Sequence, residues 1–334
     1  MKALVYTAPR ALDYREVPDA APHTGEVLIR VDAVGICGSD MHAYQGHDER
    51  RPAPLILGHE AAGVIVGGAE AGRRVTVNPL VTCGGCPACR AGRENLCPTR
   101  QIISMPPREG AFAEMLAMPT ENLVTVPDGV PLGMAALAEP LACGWHAVRL
   151  GAQALGQPLA GTRCAVLGGG AIGLGAALAA LAQGAPGPVP VAEPNRLRHA
   201  AIASAGALAP HLPGEGGLDA GEADLVIDAV GYPATRAEAC RLARPGGVIV
   251  HIGLGSAEGG LEIRRMTLQE ITFIGTYTYT KADFRATAAA IFEGRLGPLG
   301  WAEARPLSAG AAAFAEIEAG RAAAPKIVLM PGQG

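Results

Sequence analysis

No part of this 334-residue chain is apolar for long. Its longest runs, Ala176–Ala182 among them, fall far short of the ~20 residues needed to span a bilayer, so no membrane partner is expected. Basic charge is no more abundant: 27 Lys and Arg against 31 Asp and Glu leave a formal charge of −4. That balance removes the electrostatic case for binding nucleic acid. Only three of the cations are Lys beside abundant Ala, Gly, Pro and Arg, a bias of genome composition to which no function attaches. No secretion signal or transit segment precedes the strand-like Met1–Tyr6 run, and the cysteines do not form a disulfide framework. A reducing, cytoplasmic setting is therefore expected. Internal repeats and low-complexity linkers are missing as well. What remains is a chain that is 49% apolar and long enough for two domains.

Four cysteines stand close together at Cys83, Cys86, Cys89 and Cys97. Four thiolates at such spacings can close a tetrahedron around one Zn²⁺, leaving no position for a substrate. Gly84, Gly85, Pro87 and Gly92 suit a loop that wraps tightly around an ion. Two disulfides are the competing reading, but Cys-x-x-Cys pairs make strained bridges. A filled structural zinc site is predicted.

Up to about residue 130, short β-like runs alternate with Gly/Pro turns: Met1–Thr7, Glu26–Gly35, Ala61–Val66, Arg73–Val77 and Leu123–Thr125. This part reads as an antiparallel, barrel-like β domain. From Ala135 to Leu150 the pattern turns helical. Strand-like Arg163–Leu167, Val189–Ala192, Ala223–Val230, Gly247–Gly253 and Ile271–Gly275 then alternate with helical segments, which predicts a doubly wound parallel sheet. A helix over Phe284–Glu293 and a strand at Lys326–Met330 would return the chain to the first domain. The expected fold is α/β plus β, with one domain over 1–145 and 282–334 interrupted by another over 146–281. One feature resists this layout. Pro186, Pro188 and Pro190 crowd the second α/β strand, where an interior position loses a ladder bond at Pro. The strand must be short and begin near Val189 with a bulge, or lie less centrally.

Gly168, Gly170 and Gly173 form G-x-G-x-x-G between an apolar strand and a helix start. Backbone there can approach a pyrophosphate, and the free N–H groups of the helix start, at Ala171 and Ile172, favour an anion. Glu193 lies 20 residues past Gly173, where a carboxylate can accept both ribose hydroxyls and repel a 2′-phosphate. NAD is thus favoured over NADP, while Arg196 and Arg198 keep NADP open.

A second, open metal site is suggested by Cys37, Ser39, Asp40 and His42, followed by His59 and Glu60. A catalytic zinc needs a few protein ligands and a free position. Cys37 and His59 supply thiolate and imidazole, and Glu60 or a later carboxylate completes the shell. Asp40 is placed to accept the other ring N–H of His59, and Ser39 and His42 to pass a proton from an alcohol to solvent. Each of these residues alone has a structural explanation; their joint occurrence points to chemistry.

In this order, Gly35-Ile36-Cys37-Gly38-Ser39-Asp40-Met41-His42, Gly58-His59-Glu60, Asn95-Leu96-Cys97 and Asp228-Ala229-Val230-Gly231 resemble the zinc-containing medium-chain dehydrogenase/reductase family over essentially the whole chain. Ala138-Glu139-Pro140-Leu141 is similar to its polyol branch. The resemblance implies a GroES-like β-barrel catalytic domain with an inserted Rossmann domain. It also implies two zinc ions per subunit: a catalytic one at Cys37, His59 and Glu60 with Glu139 nearby, and a structural one at Cys83, Cys86, Cys89 and Cys97. Cys143 could reach the same face as Glu139 but reads as a buried bystander. The implied reaction is reversible oxidation of a secondary alcohol, such as a polyol, with hydride transfer to NAD⁺. Threonine or simple alcohol and diol substrates are the alternative, and a non-catalytic zinc and dinucleotide binder the remote one. Homodimers or homotetramers are usual for such proteins. The loop from Gly46 to Pro52 and the Gly275–Thr280 segment, placed near the nicotinamide end, carry no substrate assignment.

Overall fold

The computed structural model describes residues 1–332. A three-stranded antiparallel sheet runs in the order Ala11–Glu16, Lys2–Ala8, Leu55–Ile56. A seven-stranded sheet runs Leu123–Thr125, Arg74–Val77, Glu60–Val66, Glu26–Gly35, Lys326–Met330, Ala302–Pro306, with Met115–Pro119 also paired to Glu26–Gly35. Leu4, Ile29, Ile65, Met118 and Leu329 are fully buried between these layers. Each such side chain contributes about 1.5–3 kcal/mol relative to exposure. Strands Ala11–Glu16 and Ala302–Pro306 escaped the sequence reading because their charged residues blur the alternation; neither buries a residue fully.

A third, six-stranded sheet is entirely parallel, in the order Leu208–His211, Val189–Ala192, Cys164–Leu167, Ala223–Asp228, Ala243–His251, Thr272–Gly275. Counted along the chain, this is the 3-2-1-4-5-6 order of the doubly wound nucleotide-binding fold. All four residues of Cys164–Leu167 are buried, as a strand covered on both faces requires. Helix Ala171–Ala182 packs on one face; it is rich in strong helix formers and apolar nearly all round. The proline-crowded strand is interior and short, Val189–Ala192, with no register shift. Val189 and Glu193 donate toward Leu208–His211, to Ala207 and His211 carbonyls. The missing N–H of Pro190 therefore faces Cys164–Leu167, where pairing begins only at Val166–Val191, so the proline costs the ladder at the start of the strand and not along its length. Strand Leu208–His211 went unread, being four residues long and containing Pro210.

Helix Ala138–Leu155 passes from the first sheet system to the second and buries Glu139, Trp145 and His146. Helix Lys281–Phe292 packs against it, and the last strand, Lys326–Met330, pairs antiparallel with Glu26–Gly35. Among the described residues no helix is long and apolar enough to cross a membrane.

Candidate active site

Three strand ends converge at Gly35. It pairs with Glu60, the first residue of its strand, and with Val328, two residues past Lys326. This register brings Cys37, Glu60 and Lys326 together although they are far apart in sequence. Cys37, His59 and Glu60 offer ligand atoms within 4.8 Å of one another, with His59 and Glu60 buried. A Cβ on Gly35 would lie 2.0 Å from Glu60 Oε2, so only glycine leaves room for this carboxylate. Lys326 Nζ donates to both Glu60 oxygens at 2.6 and 2.8 Å and to the Ile36 carbonyl at 2.8 Å. Burial alone would lower the pKa of the Lys326 ammonium, but the charge of Glu60, its hydrogen bond and the charges of Cys37 and Glu139 together outweigh burial and raise it.

Cys37 caps helix Gly38–Tyr44, and its N–H donates to Asp40 Oδ2 at 2.9 Å. The other Asp40 oxygen accepts from Gly58 N–H at 3.2 Å and lies 3.6 Å from His59 Nδ1. Asp40 is fully buried; burial opposes its ionisation, yet His59 and its hydrogen bonds hold its carboxyl below the ordinary range. With Asp40 and Ser104 Oγ, at 3.5 Å, both beside Nδ1, Nε2 is the ring atom left for a metal. Ser39 is half-buried and His42 exposed, three residues apart on one helix face.

Glu139 lies outside the 4.8 Å cluster. Its Oε1 instead accepts a hydrogen bond from the Tyr279 hydroxyl at 2.7 Å. Burial pushes its carboxyl up to about 6, although the charge of His59 pulls the other way. Cys143 is half-buried and likewise outside the cluster.

The four cysteines form a second group. Cys97 and Cys83 sulfurs are 3.6 Å apart, and Cys83 and Cys89 3.9 Å. A tetrahedron with Zn–S bonds of ~2.3 Å has edges of about 3.8 Å, so the group fits zinc; a disulfide needs about 2.05 Å. Cys86 and Cys89 N–H groups point at the Cys83 and Cys86 sulfurs, and backbone N–H donors bring the Cys97 thiol down to about 6.

In the glycine turn, Gly170 caps helix Ala171–Ala182 without a side-chain cap, leaving the first-turn N–H groups of Ala171, Ile172 and Gly173 for a ligand. A Cβ on Gly173 would fall 1.8 Å from the Gly168 carbonyl oxygen, so the turn closes only on glycine. Glu193 is buried at the end of its strand and accepts from Gly169 and Asn195 N–H, each at 2.8 Å. Arg198 Nη1 is 3.8 Å from Glu193 Oε2.

Residues 23–128 match the alcohol dehydrogenase GroES-like domain, and residues 171–293 the zinc-binding dehydrogenase domain. L-galactonate-5-dehydrogenase of Escherichia coli K12 is 34% identical over 89% of this chain and 88% of its own length. The chain belongs to the zinc-binding alcohol dehydrogenase family. It is an oxidoreductase that uses zinc and a nicotinamide dinucleotide and acts on a small-molecule alcohol. Sorbitol dehydrogenase of Bacillus subtilis 168 is 37% identical, over 84% of this chain and 82% of its own. A Sinorhizobium meliloti 1021 protein described as a zinc-binding dehydrogenase, bound to NADP, superposes with a TM-score of 0.87 at 28% identity, covering 99% of both chains. Within this family member, three buried residues beside the site have partners that the sequence did not reveal: Lys326 carried no role, and Arg51 and Tyr279 lie in the Gly46–Pro52 and Gly275–Thr280 segments, which carried no assigned substrate contact. Lys326 pairs with Glu60, Tyr279 with Glu139, and Arg51 bridges Asp48, Ser104 and Ser39. For Lys326 the available signal was a lone Lys in a C-terminal strand.

Proposed function

We propose that this enzyme reversibly oxidises a secondary hydroxyl of a polyol or sugar-derived alcohol to a ketone, with NAD⁺ as hydride acceptor. The observation that carries this reading is the Cys37–His59–Glu60 group, its imidazole and carboxylate buried, with the carboxylate of Glu139 beside it, in a chain that also holds the dinucleotide turn. Cys37 and His59, with Glu60 or Glu139, would hold the catalytic zinc, and Cys83, Cys86, Cys89 and Cys97 the structural one. Bound zinc supplies Lewis acidity, which lowers the pKa of water from about 15.7 to about 7 and that of an alcohol likewise. Ser39 takes the alcohol proton and His42, exposed on the same helix face, delivers it to solvent. Glu139 offers a second hydroxyl of the substrate an acceptor, which favours polyols; the names of the two curated relatives agree with this.

Gly168, Gly170, Ala171, Ile172 and Gly173 bind the pyrophosphate, Glu193 the adenosine ribose, and Arg198 flanks it. Burial of Glu193 makes a 2′-phosphate unfavourable, hence NAD over NADP. The catalytic part comprises 1–145 and 282–334, and the dinucleotide part 146–281. The edge strand Thr272–Gly275 suits pairing across a two-fold axis in a dimer or tetramer, and eight unpaired cysteines suit the cytoplasm. The test is NADH formation by zinc-replete protein across polyols, sugar acids, threonine and diols, with NADP⁺ in parallel. Polyol turnover with NAD⁺ is expected; preference for threonine would overturn the substrate class, and preference for NADP⁺ the role of Glu193.

A further inference from the structure

Tyr279 lies in the turn between strand Thr272–Gly275 and helix Lys281–Phe292, 1% exposed, with its hydroxyl spent on Glu139 Oε1 at 2.7 Å. Glu139 Oε2 accepts no hydrogen bond among the described residues. The turn is gripped from both sides. From the four-cysteine lobe, Asn95 Nδ2 donates to the Tyr277 carbonyl at 2.7 Å, and the Arg100 guanidinium stacks over the Tyr277 ring at 4.8 Å. From the helix, Asp283 accepts from Thr280 Oγ1 at 2.6 Å. Between the two tyrosines, Thr278 holds a left-handed backbone at φ +47°, a conformation that persists only where its surroundings over-determine it.

We propose that Tyr279 is a positioning residue for Glu139, and that the four-cysteine lobe sets its place through Asn95. With Oε1 occupied, Glu139 presents a single oxygen, Oε2, to a metal or a substrate hydroxyl. The lobe thereby acts on the catalytic centre through two hydrogen bonds. This inference rests on the reading that Glu139 belongs to that centre.

The test replaces zinc in the catalytic centre by Co²⁺ and reads its visible absorption bands. Tyr279→Phe keeps the ring against Phe284, whose centroid is 5.6 Å away, and removes only the hydroxyl. It should shift the cobalt bands and lower kcat on a polyol about tenfold or more, with NADH affinity unchanged. In a Glu139→Ala background the same substitution should change neither bands nor kcat further. Asn95→Leu, which leaves Tyr279 intact and so serves if Tyr279→Phe fails to fold, should also shift the bands while two metal ions per chain are retained. Unchanged bands and kcat in Tyr279→Phe, or an effect that persists without Glu139, would overturn the positioning role. Unchanged bands in Asn95→Leu would overturn the role of the lobe. If the unaltered enzyme oxidises no polyol, the functional reading fails, and the cobalt bands still decide whether Tyr279 orients Glu139.

Discussion

At the scale of single residues, the decisive contacts join groups that are distant in sequence and dry in the fold. The Lys326–Glu60 pair is almost wholly buried, and a buried charge that loses its partner is costly. Lys326→Met should destabilise the protein by about 3–5 kcal/mol, read as a lower urea midpoint, and Glu60→Gln added to it should restore part of the loss. Gly173→Ala tests the glycine turn. Its methyl would press on the Gly168 carbonyl, so dinucleotide affinity should fall by more than tenfold in a fluorescence titration of NADH. Retained affinity would mean that the turn relaxes more freely than its geometry suggests. Cys37, His59, Glu60 and the four cysteines were legible from sequence because ligand types are few and their spacings short. The partners of Lys326, Arg51 and Tyr279 were not, because one Lys, Arg or Tyr has no local pattern to betray its partner.

At the scale of elements, helices Ala138–Leu155 and Lys281–Phe292 are pinned by one carboxylate. Asp283 receives Arg149 Nε at 2.6 Å and Nη2 at 2.8 Å, Thr280 Oγ1 at 2.6 Å, and has His146 Nδ1 at 2.7 Å. Burial alone would raise its carboxyl; the bonds from His146, Arg149 and Thr280 outweigh burial and hold it well below the ordinary range. A depressed carboxyl stabilises the fold fully above its unfolded pKa of about 3.9, and that contribution is lost progressively as pH falls from there through its much lower folded value. Asp283→Asn should therefore cost about 3 kcal/mol at pH 7, and the gap to the unaltered protein should narrow in urea titrations run progressively below pH 4. A constant gap would show that packing, not charge, is what the substitution removes. Element positions were readable where burial is periodic or continuous, as at Glu26–Gly35 and Cys164–Leu167. They were unreadable where charged or proline-containing edges blur the pattern, as at Ala302–Pro306 and Leu208–His211.

At the scale of the whole molecule, the two ligand groups predict two zinc ions per chain by elemental analysis, and one in Cys83→Ser. Loss of the lobe metal leaves thiolates at 3.6–3.9 Å without the cation that holds them. Chelation should therefore lower the thermal midpoint, since metal binding is folding free energy in such loops. An unchanged midpoint after the lobe zinc is gone would mean that backbone contacts alone hold the loop. The lobe also touches Tyr277 and Lys281 through Asn95 and Glu94, so its loss should reach the turn that carries Tyr279.

The residue types of both ligand groups, the dinucleotide turn with its acid, and the alternation of β and βα segments were determined by the sequence alone. Each is a local matter of spacing, periodicity or a glycine that tolerates close approach. Only the tertiary structure decided which carboxylate meets which partner. Strand register carries Glu60 onto Lys326, and the return of the chain after Gly275 carries Tyr279 onto Glu139. Such pairings depend on how distant segments cross in a buried, low-dielectric interior, where one hydrogen bond fixes an orientation that no local pattern encodes.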